Sequence, residues 1–270
     1  MLQTLQSIEQ VETIYDTGCK PILVHCNDLE YYVCKYNSST GAANLLFREY
    51  MAASFLSIWE VQVPSYVLVN LQNHHNPEAK KNINNEMPCF GSLFNNELRE
   101  IDAFIIEASN AQKLKFKNKI ELLYIALFDY WIANDDRNFN NYNIMLKMEN
   151  DQYQFIPIDG GAVFHTGNQD KINYTLSIDE SLIYSPLAKS LFSTKAFLND
   201  DMIQTLKENY YLRIESCRNA LQVLIDNVPD QWQINKQTEY NNLTNFLFSD
   251  NWIDECWNTF LEHLHQSYNF

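Results

Sequence analysis

The chain has 270 residues, 46% of them hydrophobic, and carries 34 acidic against 19 basic side chains, a formal net charge of −15. A chain of that length makes one large domain or two lobes, and its charge excludes direct binding of a nucleic-acid backbone, which needs clustered Lys and Arg. No apolar run approaches the ~20 residues of a membrane span, and the opening MLQTLQSIEQVET has no basic or apolar leader region, so neither a membrane partner nor a signal peptide is expected.

Residues 2–10 read as a short amphipathic lead-in. Strand patterns follow at 11–15, 21–26 and 30–36, separated by Asp16-Thr17-Gly18-Cys19-Lys20 and by Asn27-Asp28. In the third, EYYVCKY, alternation puts Tyr31, Val33 and Lys35 on one face and Tyr32, Cys34 and Tyr36 on the other. A lysine on an apolar strand face needs a partner, or else marks a solvated edge. Ser38-Ser39-Thr40 then offers a cap for a helix running to about Trp59. Its apolar stripe holds Leu45, Ala52 and Leu56, and Glu49 lies on that stripe. A carboxylate facing inward is costly unless paired, and Lys35 is the nearest cation in the sequence.

Residues 61–70, VQVPSYVLVN, read as two strands separated by Pro64, the second leading to a hinge near Asn70-Leu71. Residues 72–92 are polar with two prolines and little pattern, and read as a flexible linker or insert. His74-His75 has no supporting metal-ligand spacing there. The six cysteines are scattered without a CxxC pair, the usage of reduced thiols in a cytoplasmic protein.

Residues 93–115 read as helical, ahead of a helix at 118–132 that is apolar all round from Leu122 to Ile132 and belongs inside the domain. The chain then turns polar at Asn134-Asp135-Asp136-Arg137, with further asparagines at 138, 140, 141 and 143. A hairpin follows, Ile144 to Ile158 around Glu149-Asn150-Asp151, and delivers Asp159-Gly160-Gly161. It brings Asn143 and Asp159 to one end of two paired strands, with Asp136 just before. Two aspartates and a carboxamide oxygen there make a hard oxygen site of the kind magnesium takes, its shell completed by water and phosphates. Phosphoryl transfer needs such a metal and one aspartate to orient the attacking hydroxyl and accept its proton. Asn141 stands five residues after Asp136, while Asn143 is fixed by the strand start, and both stay candidates for the metal. The two glycines would let the backbone pass close to a phosphate or take φ > 0. Residues 163–184 are loop-like, with Thr166, Thr175, Ser177 and Ser181 as hydroxyls; 187–228 and 240–267 read as core helices.

In order, the motifs YYVCK, FREYMAASFL, VPSYVLV, LFDYWIANDDRNFNNYNIML and FIPIDGGAVF resemble the HipA-like kinases, above all a compact branch without the N-terminal subdomain of HipA. The DRNFNNYNIML…IDGG part is also similar to the catalytic loops of phosphatidylinositol 3/4-kinases. The resemblance covers residues 10–165 and then only helix content. There is no GxGxxG loop, only Thr17-Gly18-Cys19-Lys20 in its place, no His before Asp136-Arg137, no Phe after Asp159, and no APE motif.

The resemblance implies an α+β, two-lobed protein-kinase-like fold. A small antiparallel-sheet N-lobe would span residues 1–71, the linker 72–92, and a mostly helical C-lobe with the catalytic and metal loops 93–270. It implies ATP and Mg2+ as cofactors, with Gly18, Val33, Lys35 and Glu49 on the nucleotide. Asp136 would be the catalytic base, and Asn141, Asn143 and Asp159 the metal ligands. The activity implied is transfer of a γ-phosphate to a Ser or Thr hydroxyl of a protein, in a toxin with an antitoxin partner. A pseudokinase that only binds nucleotide or protein is the first alternative, and a lipid or small-molecule kinase the second.

Overall fold

A computed structural model describes residues 2–36, 44–76, 86–111, 114–167, 174–192 and 198–268. Its first half is a six-stranded sheet built from β1 (Thr4–Gln6), β2 (Thr13–Ile14), β3 (Ile22–His25), β4 (Tyr31–Lys35), β5 (Tyr66–Asn70) and β6 (Cys89–Leu93). The strand order is β1-β5-β6-β4-β3-β2. Ile22 and Val24 of β3 and Tyr32 and Cys34 of β4 pack with Val67, Val69 and Cys89 into a small core of their own.

Three sequence expectations are corrected here. The lead-in at 2–10 contains β1, which pairs parallel to β5 in register Thr4↔Leu68, so the sheet is mixed rather than antiparallel. Only Leu5 of β1 is buried, and three residues with one inward side chain show no legible alternation. The linker expected at 72–92 runs into β6, which pairs with β4 on one side and β5 on the other. Its Gly91 disguised the strand, yet the position demands glycine: a Cβ would stand 2.9 Å from a Val69 methyl and 3.2 Å from Cys34 Sγ. Of the two strands expected at 61–70 only β5 forms, after Pro64.

Helix α1 (Leu45–Ile58) follows β4, and the cap expected at Ser38-Ser39-Thr40 lies outside the described residues. α1 is the bridge between the sheet and everything after it: Tyr50 Oη donates to Leu224 O at 3.2 Å, and Trp59 stacks on Trp131 with centroids 5.6 Å apart. The helix expected over 93–115 shrinks to α2 (Ala103–Asn110), capped by Asp102 accepting from Ile105 N at 2.8 Å. The residues before it include β7 (Arg99–Glu100), the edge of a second sheet with β8 (Ile144–Glu149) and β9 (Gln152–Pro157).

α3 (Glu121–Ile132) is the axis of the second half, and every residue from Leu122 to Ile132 is buried. Burying each large apolar side chain contributes about 1.5–3 kcal/mol, enough to hold one charged residue, Asp129, inside the same helix. The Trp131 indole donates to Leu247 O and the Trp252 indole to Trp131 O, each at 2.8 Å, which locks α3 to the C-terminal helices. Those are α5 (Pro186–Phe192), α6 (Asp200–Asp226), α7 (Lys236–Leu247) and α8 (Asp250–Tyr268), preceded by the short turn α4 (Val163–Gly167). Along α6 the buried stripe is Leu206, Tyr210, Ile214, Cys217, Leu221 and Ile225, spaced three and four apart as an amphipathic helix requires. No described helix is long and apolar enough to cross a membrane.

Candidate active site

The site lies where the β4 and α1 side chains meet the loop after β9. Alternation along β4 puts Lys35 on its inward face, 8% exposed, and α1 presents Glu49, 4% exposed. Lys35 Nζ donates to Glu49 Oε1, as the sequence pairing required. It also donates to Asp159 Oδ1 at 2.5 Å, so one ammonium bridges the expected phosphate-site carboxylate and the expected metal carboxylate. Glu49 turns its other oxygen to the Gly160 N–H at 3.0 Å, and Asp159 Oδ1 accepts from Gly161 N at 3.3 Å.

The electrostatics follow from this triad. Burial opposes the Lys35 charge, but Glu49 and Asp159 outweigh it and raise the ammonium above its ordinary range. Burial lifts the Glu49 carboxyl, with Lys35 pulling the other way. Burial also works against the Asp159 carboxylate, yet Lys35 and the Gly161 N–H hold it below its usual value. Burial pushes up the Cys19 thiol, and Lys35, Asp159 and Glu49 act on it directly, which places the β2–β3 turn within their field. Gly18, in that turn, is exposed and open on its Cβ side. Val33, half-buried on the Lys35 face, pairs with Leu23 and Ser92.

The positive φ expected of the two glycines is not found; Asp159 itself has it, at 56°. A Cβ on Gly160 would meet Ala52 Cβ at 2.4 Å, and one on Gly161 would meet Glu49 Oε1 at 2.8 Å and Leu45 Cδ1 at 2.9 Å. Their smallness lets the loop lie against α1.

Across the hairpin, Asp136 Oδ2 accepts from Asn141 Nδ2 at 3.0 Å and from Asn143 Nδ2 at 2.9 Å. The structure therefore brings both asparagines to the same carboxylate. Asn143, at φ 46°, also gives its carbonyl to Ile158 N at 2.9 Å, one residue before Asp159.

Four polar residues of the site escaped the sequence reading of roles. Asp129 sits in α3, where an otherwise apolar pattern hid it; the only signal was one carboxylate in that run with Arg137 eight positions on. Arg137 donates to Asp129, and the fully buried Asn134 donates to the same Asp129 oxygen at 2.9 Å. Burial pushes the Asp129 carboxyl up to about 7 against the pull of Arg137 and Asn134. Arg48, next to Glu49 on α1 and 2% exposed, donates Nε to Gly161 O at 2.7 Å.

Two carboxylates on one ammonium leave a surplus of negative charge and of hard oxygen donors. Among the described residues no group of three or more His, Cys, Asp or Glu forms a ready-made metal cage. The Asp159 carboxylate is a hard oxygen donor of the kind that fits a magnesium ion taking most of its ligands from water and phosphates.

A small sheet with one helix, a second mostly helical half, and a lysine–glutamate–aspartate triad between them define an α+β fold of the kinase type. The sequence profile of the HipA-like kinases matches residues 8–256, and the chain belongs to that family. The fold is similar to that of the Helicobacter pylori proinflammatory kinase CtkA, with a TM-score of 0.52, 16% identity and 97% of each chain covered. No curated protein matches the chain.

Proposed function

We propose that this protein is an ATP- and magnesium-dependent kinase that transfers the γ-phosphate to a Ser or Thr hydroxyl of a protein. The observation that carries it is the double engagement of Lys35 by Glu49 and Asp159, with Asp136 held across the hairpin by Asn141 and Asn143. Lys35 binds the nucleotide phosphates and Glu49 keeps its ammonium inward. Val33 and the turn at Gly18 cover the base and phosphates. Asp159, with Asn143 or Asn141, holds the magnesium, which neutralises charge on the transferring phosphoryl group when bound. Asp136 orients the acceptor hydroxyl and takes its proton, with the two carboxamides fixing its carboxylate.

The acceptor as a protein and a toxin role with an antitoxin partner rest on the family resemblance, and a cytoplasmic location on the cysteine usage. The six free cysteines, five of them buried, accord with a reducing compartment. The pseudokinase reading draws on the β2–β3 turn, whose one glycine, Gly18, stands open to solvent instead of forming a glycine-rich cover.

Incubation with γ-labelled ATP and magnesium, followed by mass spectrometry of the protein and of added extract proteins, tests the assignment. Label on a Ser or Thr side chain is the expected result. Binding of Mg-ATP with no transfer to itself, to water or to any protein would replace the kinase with the pseudokinase.

A further inference from the structure

We infer that Asp129, a residue of the core helix α3, is a positioning residue for phosphoryl transfer: acting through Arg137, it fixes Asp136, Asn143 and Asp159 relative to one another. The inference rests on the kinase reading above and assigns a role to a buried charge that the reading leaves unused.

The geometry is that of a clamp. Arg137 directly follows Asp136 in sequence and is 1% exposed, as is Asp129. Its guanidinium donates Nη1 to Asp129 Oδ1, Nε to Asn143 O at 3.3 Å and Nη2 to Ile158 O at 3.0 Å. Asn143 and Ile158 face each other at the open end of the hairpin, and Asp159 comes next. One rigid planar group therefore ties the residue after the proposed base to both strand ends that carry the proposed metal ligands.

Asp129 in turn fixes the guanidinium. It is rooted in the most buried helix of the molecule, and Asn134 braces it twice, through Nδ2 to Asp129 Oδ1 at 2.9 Å and through its N–H to Asp129 O at 3.0 Å. The alternative is a pair that only stabilises the core. Buried ion pairs are poor devices for that purpose, since apolar residues of similar volume often do as well or better. What an apolar pair lacks is a side chain beginning beside Asp136 and donating to two carbonyls at once.

The test uses Asp129→Asn and the double change Asp129→Leu with Arg137→Met. Three quantities are read: the melting temperature, the affinity for ATP carrying a fluorescent ribose label with and without magnesium, and phosphoryl transfer. For Asp129→Asn, the magnesium-free affinity should stay within a few-fold of wild type. The strengthening by magnesium should fall about 10–100-fold, the usual loss when an outer partner of metal ligands is removed, and transfer should fall at least as far. The double variant should recover the wild-type melting temperature without recovering the magnesium effect. A folded Asp129→Asn protein with wild-type magnesium strengthening and transfer overturns the inference. So does a double variant in which both return, because the pair is then structural only. A wild type that binds the labelled ATP more tightly with magnesium but transfers no phosphate refutes the kinase reading alone, and the magnesium effect in the variants still decides the role of Asp129. A wild type with no magnesium effect refutes both.

Discussion

Gly160 packs against Ala52 with so little room that a Cβ on the glycine would stand 2.4 Å from the alanine's own. The contact joins the loop of the proposed metal aspartate to the helix of the lysine's partner. Gly160→Ala should therefore push α1 off the loop, break the 3.0 Å bond from Gly160 N to Glu49, and destabilise the protein by about 1–3 kcal/mol through overpacking. Adding Ala52→Gly restores the space at a helix cost of about 1 kcal/mol. Transfer activity should be lost in the single variant and largely regained in the double, with melting curves recorded beside it. Failure of the second change to restore activity would show that the contact is not what matters.

Lys35 neutralises two carboxylates, so Lys35→Ala should do more than weaken nucleotide binding. Glu49 would remain buried without its cation, and breaking a buried pair costs about 3–5 kcal/mol. The pH dependence has a definite sign. Without Lys35 the folded-state pKa of Glu49, already lifted by burial, rises further above its unfolded value. The folded protein then binds more protons, and the variant gains stability as pH falls. In wild type Asp159 titrates below its ordinary value, so its contribution is present above that value and is lost on acidification. The gap in melting temperature between wild type and variant should narrow from pH 7 towards pH 4–5. A gap that widens on acidification would contradict this account of the triad.

Asp159 and Asp136 are separable by magnesium titration. Asp159→Ala should abolish the magnesium-dependent part of ATP affinity, while Asp136→Ala should leave most of it. Alanine at Asn141 and at Asn143 should divide in the same assay, the metal ligand being the one whose loss raises the magnesium requirement. Equal effects of the two aspartate changes would mean that their roles are misassigned.

Asp136→Asn keeps the shape of the carboxylate and removes its basicity. ATP affinity should stay within a few-fold of wild type while transfer falls by about the 10²–10⁴ that a positioned base contributes. Residual transfer should remain, because positioning and metal carry much of this chemistry. Undiminished transfer would rule Asp136 out as the base.

Much of this was legible because the chemistry sits at the ends of strongly patterned elements. The alternation of EYYVCKY and the stripe around Glu49 together located the Lys35–Glu49 pair, and the hairpin around Asn150 placed Asn143 beside Ile158 and Asp159. What escaped was of three kinds. β1 is too short to show a period. β6 carries a glycine that only its sheet neighbours explain, since a Cβ would strike Val69. The third is Asp129, whose purpose depends on a partner eight residues away across a change of direction, where Ala133 turns left-handed at φ 54°. In each case the cause lies in tertiary contact, which local pattern does not carry.

The separation in sequence between the partners at the site has a consequence for synthesis. Lys35 and Asp159 are 124 residues apart, and Glu49 and Gly160 are 111 apart. At about 5–20 residues per second on a ribosome, roughly 6–25 s pass between the making of the lysine and of the aspartate that meets it. From the making of β6, which ends at Leu93, the growing chain holds the strands of the sheet and α1 but lacks the loop that completes the triad. A nascent chain stalled before residue 159 therefore lacks the proposed magnesium carboxylate and the glycine that packs on Ala52, and the proposed site is assembled only after more than half of the polypeptide exists.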